Sequence, residues 1–311
     1  MSQREAHAAS ERNAIDIGID SVGARVASLV TPFRWHIKKS ARAAVAAATC
    51  TLGARRATQP QLRVLTYHAF GARSRDPFCL PAEAFDTHMA HLAETGRAIS
   101  PAQLRRFLTQ GDGVPDGAVL VTIDDGLQSL HSVALPILVR YAIPAIAFVT
   151  ASLIGDDRAR RDASAATSER YLTWDEVETI AGAGIEIGSH AWTHRSLGRM
   201  TTSEVRDEAS RSHQTIEQHV SGPVTAFAYP FGTRADFSRS TALLLAQCGY
   251  SCAFTSQHGA IRRGVDVFEL PRIKVESGDP PWIFGKLIDG GLDAWRWIDR
   301  SLWPLQASRA R

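Results

Sequence analysis

The chain has 311 residues, 44% of them hydrophobic and 22% charged, which fits a folded globular protein and excludes a disordered or collagen-like one. A net charge of +3 and a pI near 8.8 are only mildly basic. No long Lys/Arg face or recognition motif accompanies them, so a nucleic-acid partner is not expected.

The N-terminal stretch does not read as a secretory signal: residues 1–20 carry Arg4, Glu5, Glu11, Arg12, Asp16 and Asp20 and lack an apolar core. Further in, Lys38, Lys39 and Arg42 precede an Ala-rich run, residues 43–48, that is too short to span a bilayer. With Phe33 and Trp35 nearby, this run could lie on an anionic membrane surface or form a plain exposed helix. The expected location is cytoplasmic, with peripheral contact at the inner membrane left open. Residues 1–60 are taken as an N-terminal extension, partly helical or disordered. The cysteines Cys50, Cys79, Cys248 and Cys252 form no Cys-x-x-Cys pair and read as buried or incidental thiols.

From residue 62, strand-like runs alternate with helical patterns. Residues 62–67 read as a first strand, and 81–94 as a helix with Phe85, Met89 and Leu92 on one face. Ser100 is a plausible cap for a helix through Leu108. Residues 118–123 and 145–149 are continuous apolar runs, as expected for strands buried on both faces. Between them, residues 127–141 have a helical pattern that Pro136 should kink or start. Residues 155–170 suit a mobile surface loop. Thr173-x-x-Glu176 has the form of a capping box.

The spacing then predicts strands at 185–187, 224–229, 250–254 and 268–275, with helices at 203–220 and 236–248 between them. This alternation predicts an α/β fold with parallel pairing. A distorted (β/α) barrel of about seven strands over residues 61–279 is the expectation, with an open doubly wound sheet second. Residues 280–311 form an aromatic-rich, helical C-terminal tail with Trp282, Phe284, Trp295, Trp297 and Trp303.

Polar residues gather at the predicted carboxyl ends of the strands: His68, the pair Asp124 and Asp125, then His190 and His194, then Pro230-Phe231-Gly232. In a barrel these ends open on one face. An Asp with two His residues can hold a divalent metal and leave a position open, as catalytic sites do. Zinc is the first expectation for that ligand set, and cobalt, nickel or iron could also fill it. Two adjacent carboxylates can divide the work, one binding metal and one taking a proton. Each motif alone is weak: Asp-Gly is a common turn, and His pairs are often structural. Their joint placement is what carries the reading. His88, His91, His131, His213 and His219 fall in helical patterns and read as surface or packing residues.

Thr122-Ile123-Asp124-Asp125-Gly126 resembles the Thr-Phe-Asp-Asp-Gly motif of the polysaccharide deacetylases, the NodB-homology or carbohydrate esterase family 4 enzymes. Ser189-His190-Ala191-Trp192-Thr193-His194 is similar to their His-x-x-x-His metal motif, and residues 227–232 to their third motif. Leu65-x-Tyr67-His68 resembles the opening strand of the branch acting on poly-N-acetylglucosamine-like exopolysaccharides. The likeness runs from about residue 62 to about 276. It implies N-acetylated glycan as substrate, Asp124 as general base, Asp125, His190 and His194 as metal ligands, and the Phe231 N–H as an oxyanion donor.

Two positions depart from the family's pattern. Ala228 stands where the family has an Arg that orients the base, and Arg272 is the candidate replacement, although a structural salt bridge would also explain it. The family's late Leu-x-His is missing, and His258 does not match its context. His68 could supply the acid or only line the pocket. Within the same chemistry the substrate could be a non-sugar amide, and a non-catalytic carbohydrate-binding domain with a vestigial metal site is the reading from a different class.

Overall fold

The structure is a computed structural model that describes residues 39–47, 61–71, 76–111, 113–155, 169–293 and 295–297. Its centre is one sheet whose strands are β1 (Gln61–Tyr67), β4 (Ala118–Ile123), β5 (Ala145–Val149), β6 (Glu186–Ser189), β7 (Ala226–Ala228), β8 (Cys252–Phe254) and β10 (Ile273–Lys274). They pair in the order β10-β1-β4-β5-β6-β7-β8, and every neighbouring pair is parallel. Parallel pairing requires crossovers that cover the sheet, which is why β4 and β5 are buried along their whole length. The helices between the strands supply that cover.

The sheet curls until its two ends meet on one segment. Leu270 pairs with Phe254 beyond β8, and Ile273 pairs with Leu65 of β1. The Thr255 N–H donates to the Leu270 carbonyl at 2.8 Å on one side, and the Val275 N–H donates to the Thr66 carbonyl at 3.1 Å on the other. Residues 270–275 therefore close a distorted (β/α) barrel and carry Arg272 into its interior, where it is almost fully buried.

Helix starts follow local chemistry. Ser100, Thr173, Thr201 and Ser238 each complete a capping box with the residue three positions on. The helical pattern over 127–141 breaks at Pro136, as expected: a π-helical turn, Leu130–Ala134, is followed by an α-helix, Leu135–Arg140. Pro136 sits in the first turn of that α-helix, where its missing N–H costs nothing. The helix expected from residue 236 begins only at Arg239, and Asp236 is a buried loop carboxylate. Of the strand expected over 268–275, only Ile273–Lys274 forms one. The Asp266 carboxylate accepts from the Phe268 N–H, which turns the chain, and Leu270 makes an isolated bridge. Three short strands carried no readable signal: the pair β2 (Ala69–Gly71) and β3 (Cys79–Pro81), and β9 (Ile261–Arg262), which runs antiparallel to the start of β1.

In the described part of the C-terminal segment, Ile283–Ile288 is a short helix and residues 295–297 are helical as well. Phe284 and Trp295 are buried, whereas Trp282 and Trp297 are half exposed. Cys248 and Cys252 are free thiols, and burial pushes the Cys252 thiol up to about 12. Among the described residues no helix is long and apolar enough to cross a membrane. Residues 39–47 are helical, and the rest of the 1–60 extension, Cys50, residues 156–168 of the polar loop and Trp303 lie outside the described residues.

Candidate active site

The carboxyl end of β4 delivers two carboxylates with different surroundings. Asp124 is 2% exposed, and its N–H donates to the Tyr67 carbonyl at 2.9 Å, which ties it to the end of β1. Both carboxylate oxygens accept from Arg272: Nη1 to Oδ1 and Nη2 to Oδ2, each at 2.7 Å. Arg272 Nε donates to the Thr255 carbonyl at 2.9 Å, and Nη1 also donates to the Thr122 hydroxyl at 3.2 Å. Burial pushes the Asp124 carboxyl up, but the Arg272 charge, then His190, the Arg272 hydrogen bonds and His68 outweigh it and hold the group below the usual carboxylate range. Asp124 is thus an ionised carboxylate in a buried site, its geometry fixed by a bidentate fork.

Asp125 points the other way because its backbone does: its φ is 77°, and that of Gly126 is 78°. Two consecutive left-handed residues make a tight turn, and a Cβ at Gly126 would press on Ile154 and Val149. The turn sets Asp125 against the loop after β6. Asp125 Oδ1 lies 3.4 Å from His190 Nε2 and 3.3 Å from His194 Nε2. Together these three residues offer ligand atoms within 4.8 Å of one another, the one such group among the described residues.

His190 Nδ1 lies 2.7 Å from the Ala228 carbonyl, which can only accept, so Nδ1 carries the proton and Nε2 faces Asp125. This outer bond orients the ring, and bonds of this kind are common behind metal-ligating histidines. His190 is buried, whereas His194 is about a quarter exposed and opens the cluster to solvent. Burial pulls the His190 ring down, but a hydrogen bond donated to the Asp125 carboxylate and the charges of Asp124 and Asp125 raise it above its ordinary value. A donor set of two imidazole nitrogens and one carboxylate fits a divalent cation such as zinc.

Backbone strain gathers here. Among the described residues, five non-glycine residues have positive φ, and four of them, Asp125, Ala191, His194 and Phe231, belong to this region. Such residues persist only where the surroundings over-determine them. Phe231 follows β7 at φ 60°, 46% exposed, with its ring centroid 5.1 Å from that of His194. Its carbonyl accepts from the Ser256 hydroxyl. The loops bearing His194 and Phe231 are locked together by Asp236, which accepts from the Ser196 hydroxyl and from the Thr233 N–H and hydroxyl. A Cβ at Gly198 would lie 1.9 Å from the Ala235 carbonyl oxygen, so that junction tolerates no side chain. His68 follows β1 directly, packs on Phe78 at 4.7 Å, and is near enough to Asp124 to stabilise its charge.

Residues 111–253 match the family model for polysaccharide deacetylase. That segment, a little under half of the chain, is similar to the polysaccharide deacetylases. The chain is 26% identical over 230 residues to YxkH of Bacillus subtilis strain 168, itself named for that family, over 74% of this chain and 76% of that protein. It is 31% identical over 114 residues to the poly-beta-1,6-N-acetyl-D-glucosamine N-deacetylase of Escherichia coli K12, over 35% of this chain but only 17% of that protein. The fold is also that of the Streptococcus pyogenes deacetylase PplD, solved in complex with acetate. There the TM-score is 0.64 at 21% identity, over 74% of this chain and 99% of that one.

The structure thus brings together Asp124 with Arg272 and Asp125 with His190 and His194, and sets Phe231 and His68 beside them. His258 is buried near Trp295, 6.3 Å between ring centroids, and is not part of this cluster. The helical histidines spread elsewhere: His88 stacks on Phe284, His219 on Trp174, and His213 contacts Glu217. The carbonyls of Ala228 and Thr255 were illegible in the sequence because backbone oxygens carry no residue signal. Asp236 could have been found, since Thr233-x-x-Asp236 between a strand and a helix is a local turn pattern.

Proposed function

We propose that this chain is a metal-dependent hydrolase that removes N-acetyl groups from a glycan or glycan precursor, in exopolysaccharide or cell-envelope metabolism. The observation that carries the proposal is the pairing of an ionised, Arg-clamped Asp124 with the adjacent Asp125, His190 and His194 set. A carbohydrate-binding domain would have no need for a buried base beside a metal site.

Asp125, His190 and His194 would hold the cation, zinc being the first expectation. When bound, such a cation acidifies water and draws charge from an acyl oxygen. Asp124 accepts the proton that water loses as its oxygen bonds to the acetyl carbon. Arg272 keeps both Asp124 oxygens oriented and holds the carboxylate ionised until that moment. The Phe231 N–H donates to the acyl oxygen as negative charge grows on it. His68 returns a proton to the nitrogen as the carbon–nitrogen bond breaks, which leaves acetate and a free amine. Arg272 thereby fills the role of the family's third-motif Arg from the segment just before β10.

The test is acetate release from N-acetylglucosamine oligomers by protein loaded with Zn²⁺, Co²⁺ or Ni²⁺ in turn. Wild type should release acetate with at least one ion, and His190→Ala should lose both tight metal binding and turnover. Wild type that binds glycan but releases no acetate from any amide would overturn the proposal.

A further inference from the structure

We infer that Glu208 is a positioning residue for the metal-ligating loop, an inference that rests on the metal reading above. The helix Thr202–Glu217 buries Val205, Glu208, Ala209, Ser212 and Ile216, one continuous face. Glu208, 6% exposed, is a carboxylate in the middle of that face, and among the described residues it has no ion-pair partner. A buried carboxylate without a cation needs strong donors. It finds them in the loop between the two histidines: Oε2 accepts from the N–H groups of Trp192 at 2.9 Å and Thr193 at 2.8 Å, and Oε1 accepts from the Thr193 hydroxyl.

The loop is shaped around this anion. Ala191 at φ 65° turns the following N–H groups inward, the concave arrangement that binds anions. The Ala191 N–H itself goes to Ser189 Oγ, which is bonded in turn to Ser212 of the same helix face at 2.7 Å. On the opposite side, the Ala191 and Trp192 carbonyls accept from Ala151 and Ser152. All three residues between His190 and His194 are therefore fixed through their N–H groups, and Glu208 fixes two of them. Without it, the left-handed turns at Ala191 and His194 lose the contacts that over-determine them, and the two imidazoles lose their mutual spacing.

The test strips metal from the full-length chain and reloads it with Zn²⁺ or Co²⁺. Affinity is read by competition with a chromophoric chelator, and ligand geometry by the Co²⁺ visible spectrum. Glu208→Ala should weaken Zn²⁺ binding by about 10- to 100-fold, the range for groups that orient ligands from outside, and should alter the Co²⁺ spectrum. Glu208→Gln should stay within about threefold of wild type, because its amide oxygen can accept both N–H groups and its NH₂ can donate to the Thr193 hydroxyl. Folded Glu208→Ala protein with wild-type affinity and spectrum would overturn the inference while leaving the metal site intact. Should Glu208→Ala fail to fold, Thr193→Val carries the same test. Loss of the one hydroxyl bond should weaken Zn²⁺ by about three- to tenfold, and unchanged affinity overturns the inference. A wild-type chain that binds neither ion overturns the metal reading itself.

Discussion

Each end of the barrel buries an arginine against an aspartate, and the two ends handle the charge differently. At the amino end of β1, Arg63 is nearly buried and donates to Asp293 at 2.6 Å and to the Ile288 carbonyl at 3.3 Å. Asp293 is about a quarter exposed, so water shares the work of holding its charge. At the carboxyl ends, Arg272 and Asp124 are both almost sealed, and four nearby non-glycine residues take left-handed φ. The first pair fastens the C-terminal segment to the sheet. Both pairs are bidentate, but the second is sealed and lies among strained residues, a poor way to gain stability and a good way to hold a carboxylate ionised. His88 makes the complementary point. Half-buried against Phe284 and Tyr67, it gives up its charge: desolvation, then the neighbouring His91, lowers it to about 3.

The largest expected effect comes from breaking the pairs separately. Arg272→Met leaves Asp124 charged and unpaired in a sealed site, and should destabilise by about 3–5 kcal/mol and remove turnover. Arg63→Met should cost about 1–2 kcal/mol, since Asp293 can turn to water, and should leave turnover of the folded enzyme unchanged. Urea unfolding with acetate assays checks both, and equal losses in the two variants would erase the distinction between the ends.

Metal removal comes next. Chelator-stripped protein should be less stable than protein in zinc at 100 times its Kd by about 2.7 kcal/mol, read as a drop in melting temperature. His190→Ala should show the same melting temperature with and without zinc.

The His88 effect is smaller and has a definite sign. The folded pKa of about 3 lies below the unfolded value near 6.5, so the unfolded chain takes up a proton that the folded chain refuses. Stability should be full above pH 6.5 and should fall as pH drops below it, by at most about 2 kcal/mol at pH 5. His88→Gln should flatten that part of the pH–stability curve relative to wild type.

The legible parts of this molecule were those where side chains repeat a rule. The bounds of β4 and β5 could be read to the residue because both are unbroken apolar runs closed by polar residues. Ser100 and Thr173 announced their helices through capping boxes. Arg272 could be picked out as a lone arginine in an apolar strand context, but only the closure of the barrel shows how it reaches Asp124. The short strands β2, β3 and β9 are too brief to show alternation. The π-helical turn before Pro136 has no periodic signature of its own. Glu208 was invisible for a different reason: a glutamate on a helix reads as solvent-facing, and its partners are backbone N–H groups whose direction depends on the φ of Ala191.

The central claim is that Asp124 acts as a base beside a metal site it does not build. The most direct measurement is therefore Asp124→Asn, assayed for zinc affinity and for acetate release from N-acetylglucosamine oligomers in the same preparation. The account predicts zinc affinity near wild type and turnover lower by about 10²- to 10⁴-fold. Undiminished acetate release by the folded, zinc-loaded variant would contradict it.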